Sequence, residues 1–550
     1  MILLVQPDFE RLQRIWLSKL VKAWPPLTPT NKSILSLYVS TVDRIIRLDK
    51  DQMEKAIELA LVHDRCLKDD VIDALGRAKE QGIVPKGRLA RTATHILENL
   101  VARMHYQAQA GDRVRVDQDA SEVLRFLNGW FKSQREDHRK EQAGGAPAII
   151  AQVLTELREP NVVLWTAYHS QNQAKVFDPK VIFLVIDELG NLLPSPVRDV
   201  GKPGDPEVRN YPIEFAQGTE FVLEKGDGTA VSVAVSNSDR VIAISSGYQF
   251  FNADGSVNEA IAPADIAHIL THDPQHGPSF VAEVARAYKC WIIGGLHQVE
   301  EQTCQRTLES DLRLVPPDVA IHVEIPGPDI SPWFQQVLRR YVKSAGVNVD
   351  DIERLVQKVS TNEPPRTNPP APPSTADIRE EYSLRLAFWL ACELHLERVY
   401  VHGLELDYIV RRIDVSDDDT DHEMDQEVHA GLLAKAVVAN RARGVGLVSR
   451  PLDQFGLPAR SLIAFIKVCF LRAYPTQPQG WITFEDLPAF KPILDRGWFK
   501  DTFNCQGRRV DYRVAIVPVA LFRIDPGDLK FVGAGDTTSA VSFVFGCNAE

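Results

Sequence analysis

Residues 181–186 read VIFLVI, six apolar side chains in a row with no polar residue between them. Successive side chains of a strand point to opposite faces, so a strand with one face in water alternates apolar with polar residues. An unbroken run fits a strand covered on both faces, as in a parallel sheet flanked by helices. Similar runs recur at 33–39 (SILSLYV), 161–167 (NVVLWTA), 291–296 (WIIGGL), 319–325 (VAIHVEI), 398–404 (RVYVHGL) and 514–519 (VAIVPV). Helix-period segments stand between them, such as EVARAYKC before 291 and LRLAFWLACELH before 398. The alternation predicts an α/β fold with a doubly wound, mostly parallel sheet.

Two regions break the rhythm. Residues 45–140 are charged and helix-prone, and 209–245 read as antiparallel hairpins with GDG (226–228) as a turn. They predict a discontinuous small α+β lid over 45–140 and 206–245. The large domain then comprises 1–44, 141–205 and 246–550. The lid belongs over the C-terminal edge of the sheet, where ligands of open α/β folds bind.

The chain has 550 residues and a formal net charge of −12, against the basic face of a nucleic-acid binder. No apolar run reaches the ~20 residues of a membrane helix, and the start lacks a signal-peptide pattern. The seven cysteines form no C-x-x-C pair and are expected to be reduced thiols. These features predict a cytoplasmic protein, a monomer or small homo-oligomer, with neither nucleic acid nor membrane as partner. The proline-rich stretch 362–377 reads as a surface loop, and the acidic DVSDDDTDHEMDQE (414–427) as a solvated loop without EF-hand spacing.

Four constellations bear on chemistry. In VGAGDTTSA (532–540), Gly533 and Gly535 permit a tight turn and close approach to a ligand, and the residues after them can open a helix. Amides at a helix start attract anions, and Asp536 beside them is placed to take a proton from an acceptor hydroxyl; a structural turn is the alternative. Glu324 lies in the apolar run 319–325, two residues after His322, and needs an ion pair, a cation or water. Asn348 and Asp351 are one turn apart at an expected helix start, as a capping pair or, for the carboxylate, a Mg²⁺ contact through water. AGGAPAIIAQVL (143–154) opens an apolar helix on Gly144 and Gly145, either a simple turn or a second anion or sugar-hydroxyl site.

In this order the segments resemble the ADP-dependent glucokinase and phosphofructokinase family of the ribokinase-like superfamily, from about residue 33 onward. The Gly-Gly helix start at 144–151 matches the family's. YPIEFAQG (211–218) resembles its E-[FY]-x-x-G strand through Glu214, Phe215 and Gly218, and SDRVIAIS (238–245) its N-R-F-I segment through Arg240 and Ile242. HVE (322–324) resembles its H-x-E motif, SAGVNVDDI (344–352) its S-x-G-x-N-x-x-E, and VAIVPV with VGAGDT its ending. The departures lie at the sugar end. VSTVD (39–43) keeps Asp43 but has Val39 and Thr41 for the family's asparagines. Ala146 replaces the glutamine of G-G-Q, and Asp351 shortens the N-x-x-E acid.

The resemblance implies transfer of the β-phosphoryl group of ADP to a hexose or hexose phosphate, releasing AMP. It implies Asp536 as base, with the amides of Gly533, Ala534 and Gly535 stabilising the transferring group. It implies Mg²⁺ organised by Glu324 and Asp351, nucleotide contacts from Asn348, Val517 and Val532, and an acceptor positioned by Asp43, Gly144 and Gly145. Arg115 aligns with a lid glutamate that contacts the sugar in glucokinase members, and a guanidinium there suits a phosphorylated acceptor; an exposed lid arginine is the alternative. Alternatives are an ATP-dependent kinase of the same superfamily and a catalytically weak sugar or nucleotide sensor.

Overall fold

The computed structural model describes residues 6–23, 33–38, 41–81, 90–105, 113–116, 121–157, 162–166, 170–187, 191–201, 207–215, 220–234, 240–252, 277–296, 302–325, 327, 330–365, 367–372, 379–403, 405–413, 420–442, 455–456, 459–473, 491–518, 521–522 and 534–546.

The apolar runs form one 11-stranded sheet. Its strand Ile34–Tyr38 pairs in parallel on one side with Cys290–Gly294 and on the other with Val162–Trp165. From the first neighbour the sheet extends in parallel through Ala320–Ile325, Ser344–Asn348 and Arg398–His402. From the second it extends in parallel to Ile182–Ile186, the VIFLVI segment. Antiparallel strands close both edges. The chain order reverses across Ile34–Tyr38, so a crevice opens beyond the carboxyl ends of its neighbours.

A second, five-stranded sheet has the spatial order Arg113–Arg115, Arg240–Phe251, Glu207–Phe215, Thr41–Arg47, Arg139–Gly144. The 226–228 turn joins an antiparallel pair, Glu220–Glu224 with Ala230–Ala234, and among the described residues four helices lie within 50–133. Two hydrophobic clusters separate. One covers the large sheet. The other gathers Ile46, Met53, Phe126, Trp130, Tyr211 and Phe221 around the small sheet. Strand Glu207–Phe215 serves both, with Val208 in the first cluster and Tyr211 and Ile213 in the second.

Three local expectations fail. The acidic segment is helical from Thr420 to Ala442, because Met424, Val428, Leu432 and Leu433 bury an apolar face; 414–419 lie outside the described residues. Asn348 ends a strand instead of capping a helix, which starts at Ile352 with Asp351 as its N-cap. Cys392 and Cys505 are joined in a disulfide, against the expectation of reduced thiols. Packing of helix Arg379–Glu393 against the edge hairpin brings together two cysteines 113 residues apart. Among the described residues, no helix is long and apolar enough to cross a membrane.

Candidate active site

The residues expected at the acceptor are carried by the small sheet. Asp43 is buried and accepts a 3.2 Å hydrogen bond from Asn210 Nδ2. Its neighbour Gly144 is required by contact: a Cβ there would lie 1.9 Å from Asp43 Oδ1. Gly145 has φ 77°, in the left-handed region, and is the N-cap of helix Ala146–Glu156. That helix start is docked on the large sheet. Ser36 Oγ donates to Pro147 O at 2.8 Å, and Gly294 leaves room for Ala146 and Pro147. The Gly-Gly step thus sits where the two sheets meet.

The strand registers assemble a row that no linear motif displays. Gln142 pairs with Asp43, Asp43 with Asn210, Asn210 with Ser245, and Ser245 with Arg115. Residues opposite one another in register share a face of the sheet. Positions 43 and 115 therefore stand in one row across the sheet, three strand spacings or roughly 14 Å apart along the backbone.

The residues expected at the nucleotide and metal stand at the carboxyl ends of the parallel strands. Glu324 is the penultimate residue of its strand, Asn348 ends the neighbouring one, and His402 ends the next. Glu324 is buried and accepts a 2.6 Å hydrogen bond from His402 Nε2 through Oε1, while its buried Oε2 has no hydrogen-bond partner. Gly346 is the floor beneath it: a Cβ there would lie 1.9 Å from Glu324 Oε2 and 2.0 Å from Ser539 Oγ. Asn348 accepts from the Asp350 amide at 2.8 Å and so shapes the turn after its strand. Asp351 is buried and ion-paired with Arg354. Val517 pairs with Asp407 just beyond the turn that follows His402, and is buried against Gly431.

The chain ends its described part in helix Ala534–Gly546, whose first turn contains Ala534, Gly535 and Asp536. Gly533 and Val532 lie outside the described residues. The helix direction follows from its side-chain contacts. Ser542 meets Arg398 at the start of a strand, and Ser539 meets His322, two residues short of Glu324. Continuing one turn in the same direction, the helix start carrying Asp536 points toward the strand ends. Its amides and dipole face the crevice.

Burial holds His322 well below the usual imidazole range, assisted by the charges of Arg398 and His402. It stays neutral between two serines, Nδ1 2.9 Å from Ser344 Oγ and Nε2 2.7 Å from Ser539 Oγ. Asn210, Gln142, His402 and Ser539 stand beside the expected site residues and were missed by sequence reasoning. Each is named by its partner across strands or helices, a signal absent from the linear chain.

No family model matches the chain. It is 23% identical over 536 residues to the ADP-specific phosphofructokinase of Pyrococcus furiosus, covering 93% of this chain and 96% of that one. Among solved structures, the last common ancestor of ADP-dependent phosphofructokinases from Methanosarcinales superposes with a TM-score of 0.61 at 19% identity, over 99% of each chain. An ADP-dependent kinase in complex with fructose-6-phosphate and ADPβS gives a TM-score of 0.64 at 17% identity, over 97% of this chain and 98% of that one. With the motifs in the same order, the chain is similar over nearly its whole length to ADP-specific phosphofructokinases and shares the fold of the ADP-dependent kinases.

Proposed function

We propose that the protein is an ADP-dependent sugar kinase that transfers the β-phosphoryl group of ADP to fructose 6-phosphate, releasing AMP. The observation that carries the acceptor assignment is the row Gln142–Asp43–Asn210–Ser245–Arg115. It has a buried carboxylate near one end and a permanently charged residue type at the other. The roughly 14 Å between backbone positions, less the reach of the two side chains, suits a phosphorylated hexose. A guanidinium matches a phosphate by its fork of donors, and an uncharged sugar gains less from it. The related chains named as phosphofructokinases support the same reading.

In this reading Asp536 takes the proton of the attacking hydroxyl, and the amides of Gly533, Ala534 and Gly535 hold the transferring group. Asp43, Gly144 and Gly145 hold the sugar, and Asn348, Val517 and Val532 line the nucleotide. Glu324 suits Mg²⁺, since its Oε2 is buried and unpartnered. Asp351 enters through water, its carboxylate being already paired with Arg354. Among the described residues no three ligands cluster, which fits a cation held mainly by phosphate oxygens. When bound, Mg²⁺ supplies charge neutralisation at the phosphates. Residues 45–140 and 206–245 form the lid that excludes water from the donor.

The test is turnover with Mg²⁺ across ADP and ATP as donors and fructose 6-phosphate and glucose as acceptors. AMP formation with ADP and fructose 6-phosphate is expected. Arg115→Ala should lower kcat/KM for fructose 6-phosphate at least ~10-fold and leave ADP affinity unchanged. Preference for glucose in the wild type overturns the acceptor, and turnover with ATP alone overturns the donor. Asp536→Ala should abolish transfer while still binding ADP.

A further inference from the structure

Behind the proposed base lies a buried polar chain that no step above uses. Arg398 and Glu427 are both buried, at 3% and 0% exposure. They form a two-point ion pair, Nε to Oε1 at 2.8 Å and Nη2 to Oε2 at 2.9 Å. A lone pair of this kind contributes little net stability over apolar residues of the same volume, so its geometry carries more information than its energy. The remaining guanidinium donors point at two serines. Nη2 donates to Ser542 Oγ at 2.7 Å and Nη1 to Ser344 Oγ at 3.3 Å.

Ser344 Oγ, which accepts from Arg398, also lies 2.9 Å from His322 Nδ1 in hydrogen-bond contact. The other ring nitrogen of His322, Nε2, is hydrogen-bonded to Ser539 Oγ at 2.7 Å. The two routes from Arg398 therefore end on one helix, at Ser539 and Ser542. Gly546 completes the stripe: a Cβ there would lie 2.2 Å from Glu427 Oε2. Positions 539, 542 and 546 are spaced i, i+3 and i+7, one face of the helix, and Asp536 stands one turn before them.

We infer that Arg398, held by Glu427, is a positioning residue that fixes the axial position of helix Ala534–Gly546, and with it Asp536 and the anion-binding helix start. The inference rests on the proposed reaction for its catalytic consequence. The pair lies on the strand side and on helix Thr420–Ala442, which is clamped a second time by Lys435 Nζ to Asp407 and to Gly403 O, each at 2.9 Å. The helix carrying Asp536 is thereby keyed to elements that do not move with the lid. Hydroxyl anchors suit this purpose better than apolar packing. They have one preferred depth along the axis, whereas a surface of methyl groups allows sliding.

The test compares wild type, Ser542→Ala and the double variant Ser539→Ala with Ser542→Ala, using ADP, Mg²⁺ and fructose 6-phosphate. Displacing reacting groups by about 1 Å costs on the order of 100-fold in rate. The single variant should lose roughly 10-fold and the double variant roughly 100-fold in kcat, on the scale of that estimate, with KM for both substrates within about 3-fold of wild type. Arg398→Lys, which keeps the charge but loses the fork, should behave like the double variant. A kcat within 2-fold of wild type in the double variant, or an equal loss through KM, overturns the anchoring and leaves the proposed reaction intact. If the wild type itself transfers no phosphoryl group, the proposed reaction fails, and amide hydrogen exchange decides the anchoring. Faster exchange confined to residues 534–540 of the double variant supports it. Unchanged exchange there, or faster exchange throughout the chain, overturns it.

Discussion

Substituting Gly144 by alanine isolates the acceptor site from the rest of the machinery. The added Cβ would stand 1.9 Å from Oδ1, 2.1 Å from Cγ and 2.4 Å from Oδ2 of Asp43. A normal contact needs about 3.4 Å, so the carboxylate must retreat by about 1.5 Å. Asp43 is only 4% exposed, so it retreats into neighbours and breaks its bond from Asn210. A hydrogen bond to a charged group contributes roughly 1.5–3 kcal/mol, which translates to a 10- to 150-fold loss in kcat/KM for the sugar. The residues proposed to contact the nucleotide lie on the other sheet and are untouched. Steady-state kinetics with fructose 6-phosphate varied, set beside calorimetric titration of ADP, separates the two ends. The expected outcome is a loss of about 30-fold or more in acceptor kcat/KM, with ADP affinity within about 2-fold. A variant with acceptor kcat/KM within 3-fold of wild type would refute Asp43 as a sugar ligand.

Gly346→Ala places a methyl group where Glu324 Oε2 and Ser539 Oγ now converge. Overpacking of this kind costs about 1–3 kcal/mol, so both the melting temperature and kcat should fall, and an unchanged melting temperature would show that the floor is looser than described. The Cys392–Cys505 bond closes a loop spanning 113 residues, so Cys505→Ser or a reductant should lower urea-unfolding stability by about 2–4 kcal/mol. Coincident unfolding curves with and without reductant would refute the pairing. Burial pushes the phenol of Tyr512 up to about 12 and those of Tyr400 and Tyr408 well above the usual value. Their folded-state values exceed the unfolded ones, so this stability is complete below pH 10 and lost as the pH rises from 10 towards 12. Tyr512 alone accounts for about 3 kcal/mol of it, and a flat stability profile across that window would refute its burial.

The sequence by itself determined the sheet and its rhythm. VIFLVI and WIIGGL are apolar on both faces because parallel strands are buried on both faces, and that constraint is written residue by residue. The Gly-Gly helix start and the G-A-G-D helix were legible for a similar reason, since glycine is required locally where backbone conformation or close contact demands it. The acidic helix at 420 was misread because its buried face begins within a run of charges, where composition outweighs periodicity.

Only the tertiary structure decided which residues face one another. Asn210 reaches Asp43 across 167 positions, and Ser539 reaches His322 across 217. Cys505 reaches Cys392 across 113. Such pairings arise when whole strands and helices dock, and the free energy of docking is spread over many apolar contacts instead of residing in the pair. The row from Gln142 to Arg115 is the plainest case. Its five residues come from five strands, and their alignment is a property of register, to which no single segment of the chain refers.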